Sequence, residues 1–221
     1  MIIKIIQTAS NIKQTYDIVG EDFCYQGKTG SISTMQAITL SNEKNIIRGI
    51  FSLSPWINYI PFRYLLGFDN RTRLFRLYQN DTPCGSIVCS EHGFLKRYYV
   101  ITLENGEIFY CYPRSKGSFD YVSVFLKDVQ IALVETYMNT NDYKYTHKVY
   151  LLDNYQTYAE TLSFFVLYYA SYTFAERFHM SSGSFHQKAW SISRYNDMYD
   201  ESWREKYFPN ENFFGKINLF D

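Results

Sequence analysis

Excess charge of either sign is missing from this sequence. Lys and Arg number 22, Asp and Glu 22, the formal net charge is +0 and the sequence pI is about 6.9. A chain with no net charge exerts no long-range pull on DNA, RNA or anionic lipid, so only a local patch can attract them. No nucleic-acid partner is expected. Cysteine is scarce, at 4, and Met1 to Gln7 holds no apolar core of signal-peptide length. The expectation is a cytoplasmic chain with Cys24, Cys84, Cys89 and Cys111 as reduced thiols.

A long hydrophobic run is also missing. The nearest approach, Thr161 to Ala175, is 15 uncharged residues closed by Glu160 and by Glu176-Arg177. A membrane-spanning helix takes about 20 apolar residues, and Ser163, Tyr168, Tyr169, Ser171, Tyr172 and Thr173 make this one polar for lipid. It reads as a buried helix, with no transmembrane span. Repeats and low-complexity tracts are absent as well.

What the chain does have is apolar and aromatic mass: 46% hydrophobic, 19% aromatic, with 22 Tyr and 18 Phe in 221 residues. Tyr and Phe suit a pleated, half-buried surface. The first 150 residues divide into short strand-like runs between turn signals. These are Ile2–Thr8, Gln14–Val19, Asp22–Gln26, Ser31–Leu40, Asn45–Phe51, Tyr64–Phe68, Thr72–Gln79, Cys84–Cys89, Leu95–Leu103, Glu107–Tyr112, Ser118–Leu126, Val129–Thr136 and Tyr143–Leu151. Glu104-Asn105-Gly106-Glu107 predicts a type I′ hairpin, since Asn-Gly accepts two positive φ angles. Asn80-Asp81-Thr82-Pro83 predicts a second turn, with Pro83 presetting one dihedral.

Past Asp153 the period changes. Asp153 and Gln156 form a capping-box pattern, and Tyr155 to about Phe178 holds no Gly or Pro. Gln156, Glu160 and Ser163 make a polar stripe, but from Phe164 the segment is apolar on every side. A helix apolar all round has to be surrounded on all sides. About 12 strands preceding such a helix predict a barrel wrapped around it, since larger barrels hold a central helix. The fold class is therefore mainly β: a closed antiparallel β-barrel of residues 1–178 around a hydrophobic helix at about 154–178, with a tail at 179–221 docked on it.

Three segments carry a family resemblance: Tyr64-Leu65-Leu66-Gly67-Phe68-Asp69, Cys84-Gly85-Ser86-Ile87 and Phe94-Leu95-Lys96-Arg97-Tyr98-Tyr99-Val100-Ile101, followed by the helix. Strands ending in a late hydrophobic helix make the chain resemble the tubby C-terminal-like fold, shared by tubby, LURP-one-related proteins and phospholipid scramblases. The resemblance implies a closed barrel threaded by the helix, and a phosphoinositide or phospholipid ligand. This sequence departs from scramblases in having no acidic calcium segment or cysteine-rich palmitoylation site. It departs from tubby in having no dense Lys/Arg cluster.

Catalytic signals are weak. Gly27-Lys28-Thr29 copies the end of a phosphate-binding loop, but Asp22 stands where the first glycine belongs and a strand follows, so a glycine turn is expected. Cys84, Cys89, His92 and Cys111 have loose spacing for zinc and read as small buried side chains. His147, His179 and His186 are scattered, without a nucleophile motif or a paired carboxylate. The chain is expected to be no enzyme and to use no metal or cofactor.

Local charge is the better lead. Between Pro61 and Val100, Arg63, Arg71, Arg73, Arg76, Lys96 and Arg97 stand against Asp69, Asp81 and Glu91, a net +3. Arg offers bidentate donors to phosphate, so Arg71, Arg73, Lys96 and Arg97 are the candidate headgroup ligands; ordinary solvated strand faces are the alternative. From Tyr195 to Asp221 the net charge is −3, and Tyr199, Trp203 and Tyr207 fall on one helical stripe before Pro209. That stripe docks on the barrel or on a protein partner. The leading expectation is an intracellular, non-catalytic binding module for phospholipid or phosphoinositide headgroups. The alternative is a protein–protein module using the aromatic stripe.

Overall fold

The computed structural model describes residues 1–10, 14–29, 37–51, 74–92, 96–116, 119–139, 142, 144–173 and 200–211. Within them the chain forms β1 (Ile2–Ser10), β2 (Gln14–Val19), β3 (Cys24–Thr29), β4 (Ile38–Ser41), β5 (Ile46–Phe51) and β6 (Leu74–Gln79). There follow β7 (Thr82–His92), β8 (Lys96–Leu103), β9 (Ile108–Lys116), β10 (Phe119–Leu126), β11 (Val129–Met138) and β12 (Tyr145–Leu151). A 3₁₀ turn, Asp153–Tyr158, leads into α1 (Ala159–Thr173), and α2 is Glu201–Tyr207. Each strand pairs antiparallel with its sequence neighbours, and β1 pairs with β12 through Ile3↔Val149 and Ile5↔His147 to close the barrel. Closure removes both sheet edges.

Side chains alternate as a pleated strand requires: β3 reads exposed-buried throughout, with Tyr25 and Thr29 inward. The inward set, including Ile3, Ile5, Ile18, Leu40, Phe75, Ile87, Ile101, Phe109 and Val149, packs around α1. On the helix every residue from Leu162 to Ala170 is at most 4% exposed, which is the enclosure the all-round apolar segment demands. The helix lies closest to β1, β3, β4 and β12. Across from them aromatic rings fill the wider gap: Phe75 meets Tyr168 at 5.0 Å, Tyr99 meets Phe165 at 5.7 Å, and Phe109 meets Tyr158 at 5.0 Å.

Some local expectations are corrected. Asp81 joins Asn80 at positive φ (65° and 48°) in a two-residue turn. Those two angles are the pair a primed hairpin turn needs. Pro83 lies inside β7, opposite Tyr78 and beside a register shift, where its missing N–H is tolerated. At the Asn-Gly turn only Gly106 has positive φ (86°), and its N–H bonds Leu103 O at 3.0 Å, so the loop is longer than type I′. Gly27-Lys28-Thr29 lies in β3 rather than in a turn. The capping box does not form: Leu152 is the cap position without a side-chain bond, and Asp153 pairs with the Met1 ammonium at 2.6 Å. The Tyr64–Phe68 strand and the helix beyond residue 173 lie outside the described residues.

The two ends of the barrel differ. At the proximal end, where α1 begins, five hairpins turn tightly and carry Glu21, Asp22, Glu43, Asp81, Glu104, Glu107 and Asp128 against Lys44 and Lys127. Negative charge there complements the helix N-terminus. Tyr25 donates to Glu160 and Tyr158 donates to Glu107, tying α1 to the rim. Burial and then Glu160 push the Tyr25 phenol up to about 12; for Tyr158, also at about 12, Glu107 is the leading cause.

Nearer the distal end the interior turns polar. Tyr16 donates to Gln14 (2.7 Å), Gln7 Oε1 accepts from the Tyr145 N–H (3.0 Å), and Thr136 Oγ1 meets His147 Nδ1 (2.8 Å). His147 is fully buried, and desolvation drops its pKa to about 3.

Candidate functional site

The barrel wall has two contrasting outer faces. Over β10–β12 the wall is roofed by α2. Trp203, 6% exposed, packs on Tyr121, Leu133 and Tyr150, with Phe208, Ile2 and Leu152 at the margin. Arg204 pairs with Glu135, whose other oxygen accepts from Tyr150 OH at 2.9 Å. Burying a large side chain contributes about 1.5–3 kcal/mol, so the tail helix is held chiefly by its tryptophan.

The outer face of β5–β9 carries different chemistry. Its centre is a cross-strand row, Leu74↔Val88↔Val100↔Tyr110, continued to Phe125 of β10. Beside it the Tyr98 and Tyr112 rings stack at 5.9 Å and 27°, and Tyr112 meets Phe125 edge-on at 5.7 Å. These side chains are half-buried, while Ile46 and Ile50 on β5 are 46% and 39% exposed. Burial and the neighbouring phenols of Tyr98 and Tyr110 raise the Tyr112 pKa, keeping that hydroxyl neutral.

Cations flank this stripe. Arg48 lies opposite Tyr78, Arg76 lies between Ile50 and Ser86, and Arg114 lies opposite Tyr121 on the far side. Arg48 and Arg76 are exposed; Arg48 meets Asp81 only at 3.7 Å across an exposed pair, which contributes little. Among the described outward positions of β5–β9 there is no carboxylate. An apolar stripe with tyrosine hydroxyls and arginines at its borders suits a surface that is apolar inside and anionic outside.

The candidate residues from the sequence divide as follows. Lys96 and Arg97 open β8, opposite His92 and Glu91. The side chains of positions 91 to 97 lie outside what the structure describes. Arg71 and Arg73 lie outside the described residues and precede Leu74, the first residue of β6. Tyr199 also lies outside them. Of the aromatic stripe, Trp203 is buried in its own chain, whereas Tyr207 is 44% exposed with Lys206 Nζ 5.0 Å from its ring centre. Sequence reasoning missed Arg48 and the paired tyrosines Tyr98 and Tyr112. The alternation Ile46-Ile47-Arg48-Gly49-Ile50 was the available signal for Arg48.

Other candidates sit in the core. Gly27 faces α1, and Cys89 and Cys111 are buried thiols on either side of Tyr99, that of Cys111 pushed well up by burial. No helix among the described residues is long and apolar enough to cross a membrane. No family model, curated protein or solved structure matches this chain.

Proposed function

We propose that this protein is a non-catalytic binding module for anionic phospholipid headgroups, and that the outer face of β5–β9 is its lipid-facing surface. One observation carries the reading: the tyrosine-aliphatic stripe is bordered by the exposed Arg48 and Arg76, with Arg114 on its far side, and no described outward strand position of β5–β9 is a carboxylate, while acidic residues, Asp81 beside Arg48 among them, gather at the proximal hairpins. Tyrosine and arginine both partition to the boundary between apolar and aqueous phases, and arginine grips phosphate through paired N–H donors. Arg71 and Arg73 adjoin the β6 edge of this face in sequence, and Lys96 and Arg97 open β8 within it. A helix-filled barrel interior directs binding to the outside, in keeping with the resemblance to tubby-like proteins.

Co-sedimentation with vesicles tests it. Binding to vesicles containing anionic lipid at low salt, weakened by added salt and by Arg48→Glu/Arg76→Glu, is the expected result. Absence of binding to those vesicles at low salt overturns it, as does binding indifferent to the double substitution. The alternative, a protein partner held by Tyr199, Trp203 and Tyr207, is less favoured because Trp203 is already occupied by the chain's own barrel.

A further inference from the structure

Alpha helix α2 is seven residues long, well short of the roughly 12–15 that make an isolated helix marginal in water. It is therefore helical because it is docked, and its docking site is a built receptor. Two consecutive residues do the work: Trp203 enters the apolar hollow between Tyr121, Leu133 and Tyr150, and Arg204 reaches the Glu135 carboxylate. The side chain of Glu135 is only 3% exposed although it stands on the outer wall of the barrel. Closure through β1 and β12 is complete without α2, so the receptor face exists independently of the helix that fills it. Roughly 27 residues join α1 to α2, a reach of up to about 90 Å when extended, several times the length of a barrel strand. The connection thus permits the same contact within one chain or between two.

We propose that the outer face of β10–β12 is a helix-docking socket whose occupant is exchangeable, and that two copies of this chain associate by reciprocal exchange of α2. Every contact in the exchanged form already exists in the monomer, so the interface is two-fold symmetric and needs no new complementarity. Tethering holds α2 at an effective concentration of about millimolar over its own socket. The monomer consequently dominates in dilute solution, and exchange appears when the internal contact is weakened.

Charge reversal separates the two forms. In the full-length Glu135→Arg chain the internal contact sets Arg204 against an arginine; in the Arg204→Glu chain it sets Glu135 against a glutamate. Mixed together, each chain's α2 matches the other's socket. Size-exclusion chromatography with light scattering should show each variant alone as a monomer and the equimolar mixture as a 1:1 dimer. The doubly reversed chain, Glu135→Arg/Arg204→Glu, should be monomeric again. A mixture that stays monomeric at about 100 µM, with both variants natively folded, overturns the proposal; that concentration suffices once the millimolar tether no longer competes. Should the arginine at position 135 unfold its chain, a fluorescent peptide spanning residues 199–211 reads the same socket. It should bind the Arg204→Glu chain at least about tenfold more tightly than wild type, because the resident helix no longer competes. Equal binding to both, or none, overturns the exchange.

Discussion

Gly27 of β3 and Leu167 of α1 occupy one place in the barrel: a β-carbon on Gly27 would lie 2.7 Å from Leu167 Cδ1. The helix can press against this wall only because the strand has no side chain there. Gly27→Ala is predicted to destabilise the chain by about 1–3 kcal/mol, the usual cost of overpacking. Leu167→Ala in the same chain should remove that increment, leaving a coupling energy between the two sites. Urea denaturation of the four-member cycle measures it, and strict additivity would refute the contact. Gly49 is a harsher case, with Phe75 Cε1 at 2.0 Å and Phe164 Cζ at 2.7 Å from the built atom.

Ser163 predicts a change of the opposite sign. Its residue is fully buried in α1, and its hydroxyl has no partner among the described residues. An unsatisfied buried polar group costs about 1–3 kcal/mol, so Ser163→Ala should raise the urea midpoint. A lowered midpoint would show that the hydroxyl finds a partner in solution.

His147 makes the fold acid-sensitive. Its pKa falls from 6.5 to about 3 on burial, so the folded state favours the neutral ring while the unfolded state takes up a proton. The contribution is intact above pH 6.5 and is lost progressively as the pH falls from 6.5 towards 3. The full loss approaches roughly 4–5 kcal/mol at 1.36 kcal/mol per pKa unit. Groups facing the ring include Thr136, Tyr16 and Tyr145, none of which changes charge in this window. Stability measured at pH 7 and pH 5 should therefore differ less in His147→Gln than in wild type; equal differences would assign the acid sensitivity elsewhere.

Beside the buried Tyr16 and Tyr150, Tyr25 and Tyr158 contribute to the alkaline side. Both phenols are pushed up to about 12, each facing a carboxylate at the proximal rim. A raised pKa keeps the phenol protonated in the folded state, so its stabilising effect is whole below pH 10 and is lost as the pH rises towards 12. Ultraviolet titration at the phenolate band should lose a component near pH 12 in the Tyr25→Phe/Tyr158→Phe chain, while the still later ionisation of the more deeply buried Tyr16 and Tyr150 remains. An unchanged profile in that chain would place that component on other tyrosines.

Arg48→Glu and Arg76→Glu separate binding from folding. Both side chains are exposed on the outer wall, where substitutions shift stability by about 0.5 kcal/mol or less. The double variant should keep the wild-type melting profile while losing affinity for anionic vesicles. A large drop in melting temperature would instead give these arginines a structural role.

Much of the fold was legible because its signals are local. Runs of strand-forming residues such as Gln14–Val19 or Leu95–Leu103 mark strands locally, and the uncharged stretch from Leu162 to Ala170 announces a helix with no face for water, whereas Gly27-Lys28-Thr29 reads as a turn and lies in β3. Turn types were legible only in part. Asn105-Gly106 and Asn80-Asp81 are both good turn formers, and the flanking registers, including the shift beside Tyr78, decided which adopts paired positive φ angles.

By itself the sequence determined the kind of elements, a barrel of about 12 strands, the need to enclose α1, and the presence of an aromatic tail helix. Tertiary structure alone decided that β1 meets β12, that Gly27 yields its space to Leu167, that Arg48 and Arg76 border the Tyr98–Tyr112 stripe, and that Trp203 turns inward onto Tyr150. The reason is range. Period and propensity act over a few residues, whereas closure and the covering of outer faces join residues more than a hundred positions apart in some cases, and nothing local encodes such meetings.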